Sequence, residues 1–408
     1  YKQHDPAPRY NARDSAIVLA GFHKAKTVLG SASPSIETYN NAITGKYGLV
    51  ELRERYGSVK LPGIILADTR EAYRKKLMVS HFTPQLLEAI DGALANNEQV
   101  VLFQNRRGFS PYLECPECGW IPKCVQCAVS LTYHKGITRM VCHYCGYSSP
   151  IPSQCGNCGS PGLQTRGFGT EKIEDEIKIV FPSARVARMD QDTTRGKNSF
   201  ERIIRAMEDG QTDILIGTQM ISKGLDIENL TVVGILNADN LLNYPDFRAH
   251  ERSFQLMEQV SGRAGRRTKT GKVVIQTSDP GNKMIRLVLN HDYRNMFRIQ
   301  MDERKAFNYP PFCRMIRISV KHHDRSLLNS YSEILARDLK SEFGKRILGP
   351  EFAPVSQVQL WYIKNILVKL EREKPAAQAK IYISGAIERL LREKGASALR
   401  IAVDVDPY

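Results

Sequence analysis

Apolar and polar residues alternate along most of the chain in a pattern that predicts short strands separated by amphipathic helices. The strand-like runs are rich in β-branched residues, and the helical segments carry their apolar residues on one face. Strands are predicted at 27–29, 64–68, 99–103, 184–188, 213–216, 232–236 and 272–277. Helices are predicted at 11–22, after Pro34, and at 84–95, 171–180, 200–208 and 248–260. This alternation predicts an α/β domain whose mainly parallel sheet is covered on both faces.

The end of the chain follows a different order of elements. Strands are predicted at 314–320, 347–355, 357–370 and 398–405, and helices at 327–343 and 376–394. The order β-α-β-β-α-β is that of a ferredoxin-like sandwich. We therefore expect residues 284–408 to form an α+β ferredoxin-like domain. Basic stretches such as 369–374 favour contacts with DNA or a partner protein, and a purely structural brace is the alternative.

Eight of the nine cysteines form four Cys-x-x-Cys pairs within one short stretch. The pairs are Cys115 with Cys118, Cys124 with Cys127, Cys142 with Cys145, and Cys155 with Cys158. Four thiolates close a tetrahedral zinc site, so eight predict two structural zinc sites. A redox dithiol and an iron–sulfur cluster are the alternatives. Because the stretch interrupts the α/β series, we predict an insertion at residues 113–163 rather than a terminal domain.

The charge bears on what the chain binds. It has 58 lysines and arginines against 43 aspartates and glutamates, a net charge of +15. Such an excess favours a polyanionic partner such as nucleic acid, although an uninvolved basic surface would give the same value. No apolar run reaches the roughly 20 residues that span a bilayer, and a reducing cytosol suits the cysteines. Since the chain begins at Tyr1, in what reads as mid-domain sequence, we expect it to be part of a longer protein.

Two segments carry residue types suited to phosphate contacts. Residues 259–266 end a predicted helix, and their Arg263 and Arg266 are close enough to reach one polyphosphate together. A generic basic patch is the alternative for these two arginines. Residues 217–226 directly follow a predicted strand, and ligands of α/β sheets collect at the carboxyl ends of strands.

A third segment, residues 105–108, occupies the equivalent position after the strand at 99–103. Its Arg106 and Arg107 either contact phosphates or only flank the cysteine insertion.

Together with the Gly-Ser-Ala-Ser sequence at 30–33, these segments resemble the second RecA-like lobe of superfamily-2 helicases. In chain order, residues 30–33, 105–108, 217–226 and 259–266 look like motifs III, IV, V and VI. Motif VI departs from the common pattern, because Val260 stands where many families carry another arginine. The cysteine array between motifs IV and V narrows the resemblance to the bacterial replication-restart helicases, the primosomal protein N-prime (PriA) family. This resemblance covers essentially the whole chain.

The resemblance implies the C-terminal part of an ATP-dependent 3′–5′ DNA helicase, an ATP hydrolase that recognises stalled or repaired forks and promotes primosome assembly and replication restart. The implied cofactors are two Zn²⁺, with ATP and Mg²⁺ in the full-length protein. The implied partners are forked and single-stranded DNA, primosome proteins, single-stranded DNA-binding protein and the machinery that loads the replicative helicase, with no membrane. The implied location is the bacterial cytoplasm, at the nucleoid. Residues 1–60 would end the first helicase lobe and 61–283 would form the second.

Carried over residue by residue, the resemblance also implies roles for individual side chains. Arg263 and Arg266 would face the ATP phosphates, with Gln259 in support. The residues near the nucleotide or its metal would be Gly224 and Asp226, and those that contact DNA or couple the lobes would be Ser31, Ser33, Arg106, Arg107, Thr218 and Lys223. The chain contains no G-x-x-x-x-G-K-[ST] phosphate loop and no D-E-x-H box. We therefore expect that it does not hydrolyse ATP by itself.

The cysteine spacing favours a nested pairing of the zinc ligands. Five residues separate Cys118 from Cys124, and fourteen separate Cys127 from Cys142, which is close to the usual spacing between ribbon knuckles. The inner site is then Cys124, Cys127, Cys142 and Cys145, and the outer site is Cys115, Cys118, Cys155 and Cys158. The arrangement that the resemblance implies is the same. We expect loss of an outer ligand to detach the whole insertion, and loss of an inner ligand to loosen only its tip.

Two other interpretations stay open. One is a non-enzymatic, zinc-containing nucleic-acid-binding scaffold with an inert helicase-like lobe, which an upstream phosphate loop and acidic box would exclude. The other is a different superfamily-2 helicase, including one that acts on RNA. The eight-cysteine insertion argues against the second.

Overall fold

The computed structural model describes residues 2–3, 9–52, 61–104, 112–134, 138–166, 169–190, 192–194, 196, 198–222, 227–244, 246–265 and 270–407. The chain divides into two compact units. One comprises residues 1–37, 113–164 and 303–408, and the other residues 38–112 and 165–302. The predicted segment 105–108, residues 223–226 and Arg266 lie outside the described residues.

The amino-terminal stretch contains two short strands and two helices. These are β1 (Lys2–Gln3), β2 (Tyr10–Asn11), α1 (Ala12–Phe22) and α2 (Ile36–Ile43). The Asn11 side chain caps α1 by accepting hydrogen bonds from two backbone N–H groups of its first turn. The predicted helices are confirmed, but the strand predicted at 27–29 is wrong. Val28 is 91% exposed, and a three-residue apolar run without a pairing neighbour cannot satisfy its backbone as a strand.

After α2 the chain continues with a strand, two helices and a second strand. These are β3 (Gly63–Asp68), α3 (Thr69–Arg74), α4 (Pro84–Ala95) and β4 (Gln99–Phe103). Pro84 stands in the first turn of α4, where its missing N–H costs no helical hydrogen bond. Every residue of β4 is buried, as expected for a strand inside a parallel sheet.

The cysteine insertion follows β4, and its described residues contain five short strands. These are β5 (Tyr112–Glu114), β6 (Thr132–His134), β7 (Arg139–Val141), β8 (Ser148–Pro150) and β9 (Gln164–Arg166). The middle three form an antiparallel sheet, and β5 pairs with β9. Leu113, Leu131 and Met140 form a small core with three of the cysteines.

The alternating series then resumes. Its elements are α5 (Thr170–Val180), β10 (Val186–Met189), α6 (Ser199–Glu208), β11 (Ile214–Gly217), β12 (Leu230–Ile235), α7 (Asp239–Leu242), α8 (Ala249–Ser261), β13 (Lys272–Thr277), α9 (Lys283–Leu289) and α10 (Tyr293–Ala306). Six parallel strands form one sheet in the order β10-β11-β4-β12-β13-β3. Apolar residues of α4 and α5, among them Leu86, Ile90 and Ile173, pack against it. The predicted parallel sheet is confirmed.

The C-terminal elements form a four-stranded antiparallel sheet covered by two helices. They are β14 (Cys313–His322), α11 (Arg325–Phe343), β15 (Ile347–Val358), β16 (Trp361–Glu371), α12 (Ala376–Leu391) and β17 (Arg400–Val405). The strand order β15-β16-β14-β17 is that of the ferredoxin-like sandwich, so the predicted fold of this part of the chain is confirmed. Ile318, Leu335 and Ile366 belong to the core between sheet and helices. No helix in the described parts of the chain is long and apolar enough to cross a membrane.

Candidate metal centre and phosphate-facing segments

The structure gathers the eight paired cysteines into two groups of four sulfur atoms. Within each group all Sγ atoms lie within 4.8 Å of one another. The outer cluster is Cys115, Cys118, Cys155 and Cys158, and the inner cluster is Cys124, Cys127, Cys142 and Cys145. The structure thus brings the cysteines together in the nested arrangement.

The distances between sulfur atoms suit a metal and not a disulfide. The Sγ atoms of Cys115 and Cys158 are 3.6 Å apart, and those of Cys124 and Cys145 are also 3.6 Å apart. A tetrahedron with Zn–S bonds of about 2.3 Å has edges of about 3.8 Å, whereas a disulfide is about 2.05 Å long. Each four-thiol cluster therefore fits one zinc ion.

Turn geometry aims the thiols of three of the four pairs. The residue after the second cysteine is Gly119, Gly146 or Gly159, each with a φ near +70° in the left-handed region that favours glycine. Each of these glycines donates its N–H to the carbonyl oxygen of the first cysteine of its pair. The pair of Cys124 and Cys127 is different, because Ala128 follows it.

The thiols of the two clusters differ in how readily they ionise. Burial raises the pKa of the Cys127 thiol to about 12, while a hydrogen bond from the backbone N–H of Gln359 acts against that rise. A hydrogen bond with the Asn157 side chain lowers the pKa of Cys118 to about 6. A buried thiol such as Cys127 becomes a thiolate at neutral pH only beside a cation, which a bound metal provides.

The predicted arginine segment follows α8. Gln259 lies in the last turn of that helix, and Arg263 follows the C-cap residue Gly262. The N–H of Gly265 donates to the carbonyl oxygen of Leu230 at 2.9 Å, which fixes the segment against the start of β12. A Cβ at Gly271 would lie 2.3 Å from the carbonyl carbon of Ala264, so this close approach requires glycine. These two contacts anchor the backbone next to Arg263 to the start of β12 and the start of β13.

Two other predicted site segments are described in part. Thr218 follows β11 directly, at the carboxyl edge of the parallel sheet, where the sequence placed it. Near the amino terminus, the N–H of Ser33 donates to the Oγ of Ser31 at 3.2 Å, which makes a compact turn before α2. Six further predicted site residues lie outside the described residues: Arg106, Arg107, Lys223, Gly224, Asp226 and Arg266.

Sequence reasoning missed an organised polar loop at the same sheet edge. Asp190, which is 1% exposed, follows β10 and accepts a 2.5 Å hydrogen bond from the Oγ1 of Thr170. It also accepts from the N–H groups of Asp192 and Thr193, at 2.9 and 3.1 Å. The threonine and aspartate run at 192–194 was the available signal, since such residues favour side-chain-capped turns.

Comparison with known proteins places these features in one class. The model of the helicase conserved C-terminal domain matches residues 168–268, and that of the PriA DNA helicase Cys-rich region matches residues 124–150. The model of the primosomal protein N C-terminal domain matches residues 305–408. The fold and its insertion are therefore those of a helicase C-terminal lobe with a cysteine-rich zinc ribbon.

The whole chain also aligns with individual relatives. It is 40% identical over 410 residues to the replication restart protein PriA of Bacillus subtilis (strain 168), covering 100% of this chain and 50% of that protein. It is 37% identical over 412 residues to PriA of Haemophilus influenzae, covering 100% and 55%. The chain belongs to the PriA family of replication restart proteins. It spans about half the length of the curated relatives it matches.

Proposed function

We propose that the protein to which this chain belongs is an ATP-dependent 3′–5′ DNA helicase that acts at stalled or repaired replication forks and promotes primosome assembly and replication restart. The observation that carries this proposal is the position of the two cysteine clusters, inserted between β4 and α5 of a six-stranded parallel sheet. Identity to the PriA of Bacillus subtilis extends over the whole chain, including this insertion.

In this proposal each cysteine cluster binds one Zn²⁺, the inner through Cys124, Cys127, Cys142 and Cys145 and the outer through Cys115, Cys118, Cys155 and Cys158. Four thiolates leave no open position for a water or substrate, so both sites are structural. Their task is to give a small insertion, whose apolar core is limited to a few side chains, a fixed shape.

For ATP hydrolysis we propose that Arg263 and Arg266 face the nucleotide phosphates and that Gln259 supports them. Charge accumulates on the transferred phosphoryl group in the transition state, and a positioned guanidinium stabilises it. The anchored backbone next to Arg263 supports such a role. Gly224 and Asp226 would lie near the nucleotide or its Mg²⁺.

For DNA we propose contacts by Thr218 and Lys223, with Arg106 and Arg107 beside them and with Ser31 and Ser33 coupling the two lobes. The net charge of +15 supports a polyanionic partner. Primosome proteins, single-stranded DNA-binding protein and the loading machinery of the replicative helicase are the protein partners in this proposal, at the bacterial nucleoid.

One member of the basic stretch 369–374 is held within the C-terminal domain. The Nζ of Lys369 donates to the carbonyl oxygen of Phe307 at 2.9 Å and lies 3.9 Å from the ring centroid of Tyr309. Burial lowers the pKa of Lys369. This lysine is therefore committed within the fold, and any DNA or partner contact of the basic stretch 369–374 falls to its other members.

We also propose a division of the chain into the end of a first lobe at 1–60, a second lobe at 61–283, an insertion at 113–163 and a C-terminal domain at 284–408.

The inert scaffold is the competing function. Strand separation by the purified full-length protein decides between them. Partial duplexes with a 3′ or a 5′ single-stranded tail should be compared in the presence of ATP. Unwinding that needs ATP and the 3′ tail supports the helicase, and DNA binding without unwinding supports the scaffold.

A further inference from the structure

The turn between β15 and β16 in the C-terminal domain contacts the inner cysteine cluster. The backbone N–H of Gln359 donates to the Sγ of Cys127 at 3.2 Å. On either side of that contact, the N–H of Leu360 donates to the carbonyl oxygen of Gln126 at 2.7 Å, and the N–H of Ala128 donates to the carbonyl oxygen of Gln357 at 2.9 Å. Three hydrogen bonds thus join this turn to a single knuckle.

That knuckle is the one without a glycine after its second cysteine. In the other three knuckles a left-handed glycine closes the turn through its own N–H. Here Ala128 takes the glycine's place, and its N–H bonds to Gln357 of the C-terminal domain instead. A segment more than 200 residues away along the chain supplies the closure that the other knuckles make locally.

The turn itself adopts a geometry that its own residues do not favour. Gln359 and Leu360 have φ values of 50° and 64°, both in the left-handed region. Two-residue hairpin turns of this kind favour Asn-Gly, and an L-residue in the left-handed region costs roughly 1 kcal/mol or more. Such a turn persists where surrounding contacts determine its shape, and the knuckle supplies those contacts.

Packing on both sides also fixes the turn. Val358 packs against the apolar core of the inner cluster, which includes Leu131 and Met140. On the side of the C-terminal domain, the ring centroids of His323 and Trp361 lie 3.8 Å apart, and the guanidinium of Arg400 lies 4.3 Å from the Trp361 ring centroid.

We propose that the C-terminal domain completes the inner zinc site, with Gln359 as a positioning residue whose N–H supports the Cys127 thiolate. A thiolate ligand keeps negative charge on sulfur, and an N–H donor stabilises that charge. By linkage, the bound metal stabilises the docked turn as much as the turn stabilises the metal. The inference rests on the proposal that the inner cluster binds zinc. It replaces our expectation that losing an inner ligand loosens only the tip of the insertion.

A backbone substitution tests the hydrogen bond directly. In the full chain, replacing Gln359 by its α-hydroxy acid analogue turns the amide into an ester, which removes the N–H and keeps the side chain. We expect the zinc affinity of the inner site, measured by competition with a chelator, to fall about 10- to 100-fold while that of the outer site is unchanged. The matched control is the same ester at position 360, which removes the bond to Gln126 but leaves the thiolate's donor in place.

An ester at position 359 that leaves the inner-site affinity unchanged, or that affects it no more than the ester at 360, overturns the proposal. If the unmodified chain takes up no zinc at the inner cluster, the proposed zinc role fails and the inference fails with it.

The reverse direction is tested by hydrogen exchange at the amides of residues 357–361. Cys124→Ser, which disables the inner site, should accelerate exchange at Leu360, whereas Cys115→Ser, which disables the outer site, should not. Equal protection in the two variants contradicts the coupling, and faster exchange in the first alone supports it.

Discussion

The Nη1 atom of Arg304 lies 3.0 Å from the Oε1 atom of Glu37, in the first turn of α2. The same nitrogen donates to the carbonyl oxygen of Pro310 at 3.0 Å. Arg304 is 1% exposed and is the largest fully buried side chain among the described residues. This pair therefore joins α2 to α10.

Replacing Arg304 should lower the free energy of unfolding. Arg304→Met leaves the Glu37 carboxylate and the Pro310 carbonyl oxygen without this donor, and breaking a buried ion pair typically costs about 3–5 kcal/mol. Because Glu37 retains some exposure, we expect the free energy of unfolding to fall by about 3 kcal/mol in urea denaturation. Arg304→Lys keeps the charge and should lose less. A midpoint for Arg304→Met equal to that of the unsubstituted chain contradicts a stabilising role.

The second prediction concerns the arginines after α8. In the full-length protein, Arg263→Ala or Arg266→Ala should reduce ATP turnover about 10²- to 10⁴-fold, because a contact made mainly in the transition state is lost. Nucleotide affinity should fall much less. Arg185→Ala is the matched control, because Arg185 precedes the edge strand β10, away from β12 and β13, and pairs with Asp213. Unchanged turnover in both test variants would show that these arginines do not face the phosphates.

A pH-dependent contribution to stability is expected from Glu176. Its carboxylate lies 2.5 Å from the Nδ1 of His81. Burial alone would raise the pKa of Glu176, but hydrogen bonds from His81 and Ser80 outweigh it and hold the pKa below its ordinary value of 4.5. A carboxyl group with a depressed pKa stabilises the folded state above its unfolded pKa and loses that effect as the pH falls through the folded pKa.

Glu176→Gln should therefore lower stability by about 1 kcal/mol at pH 7, and the difference from the unsubstituted chain should shrink as the pH falls below about 4. Denaturation at a series of pH values measures this difference. A constant difference across the series contradicts the assignment.

The fourth prediction is that this chain does not hydrolyse ATP by itself. It contains neither a phosphate-loop lysine nor an acidic box to hold Mg²⁺, and arginines act only on a nucleotide already held in place. Steady-state ATPase assays with and without single-stranded DNA should show no turnover above background. DNA-stimulated turnover by the purified chain would contradict this.

Local sequence signals predicted much of the fold. The β-branched run of β4 and the Pro84 start of α4 were predicted with the bounds that the structure gives, because each signal is local and strong. The strand at 27–29 failed because a strand needs a neighbour that local sequence does not reveal. The boundary between β15 and β16 was predicted too early in the chain, because neither Gln359 nor Leu360 is a residue type that usually marks a turn.

The candidate metal centre, like the fold, was predictable from the sequence only in part. Regular spacing made the cysteine groups readable from sequence, since both knuckles of a site lie within one short insertion. The hydrogen bond from Gln359 to Cys127 was not readable, because it joins residues 232 positions apart and uses a backbone N–H that any residue except proline carries.

Metal content tests the central claim, a helicase lobe that carries two nested zinc sites, most directly. Zinc bound per chain should be measured for the unsubstituted chain, for Cys115→Ser, for Cys124→Ser and for the double variant Cys115→Ser with Cys158→Ser. The nested pairing predicts about two zinc ions for the first and about one for each of the others, since Cys115 and Cys158 serve the same site. Complete zinc loss from the double variant, or a single zinc ion in the unsubstituted chain, would contradict the account.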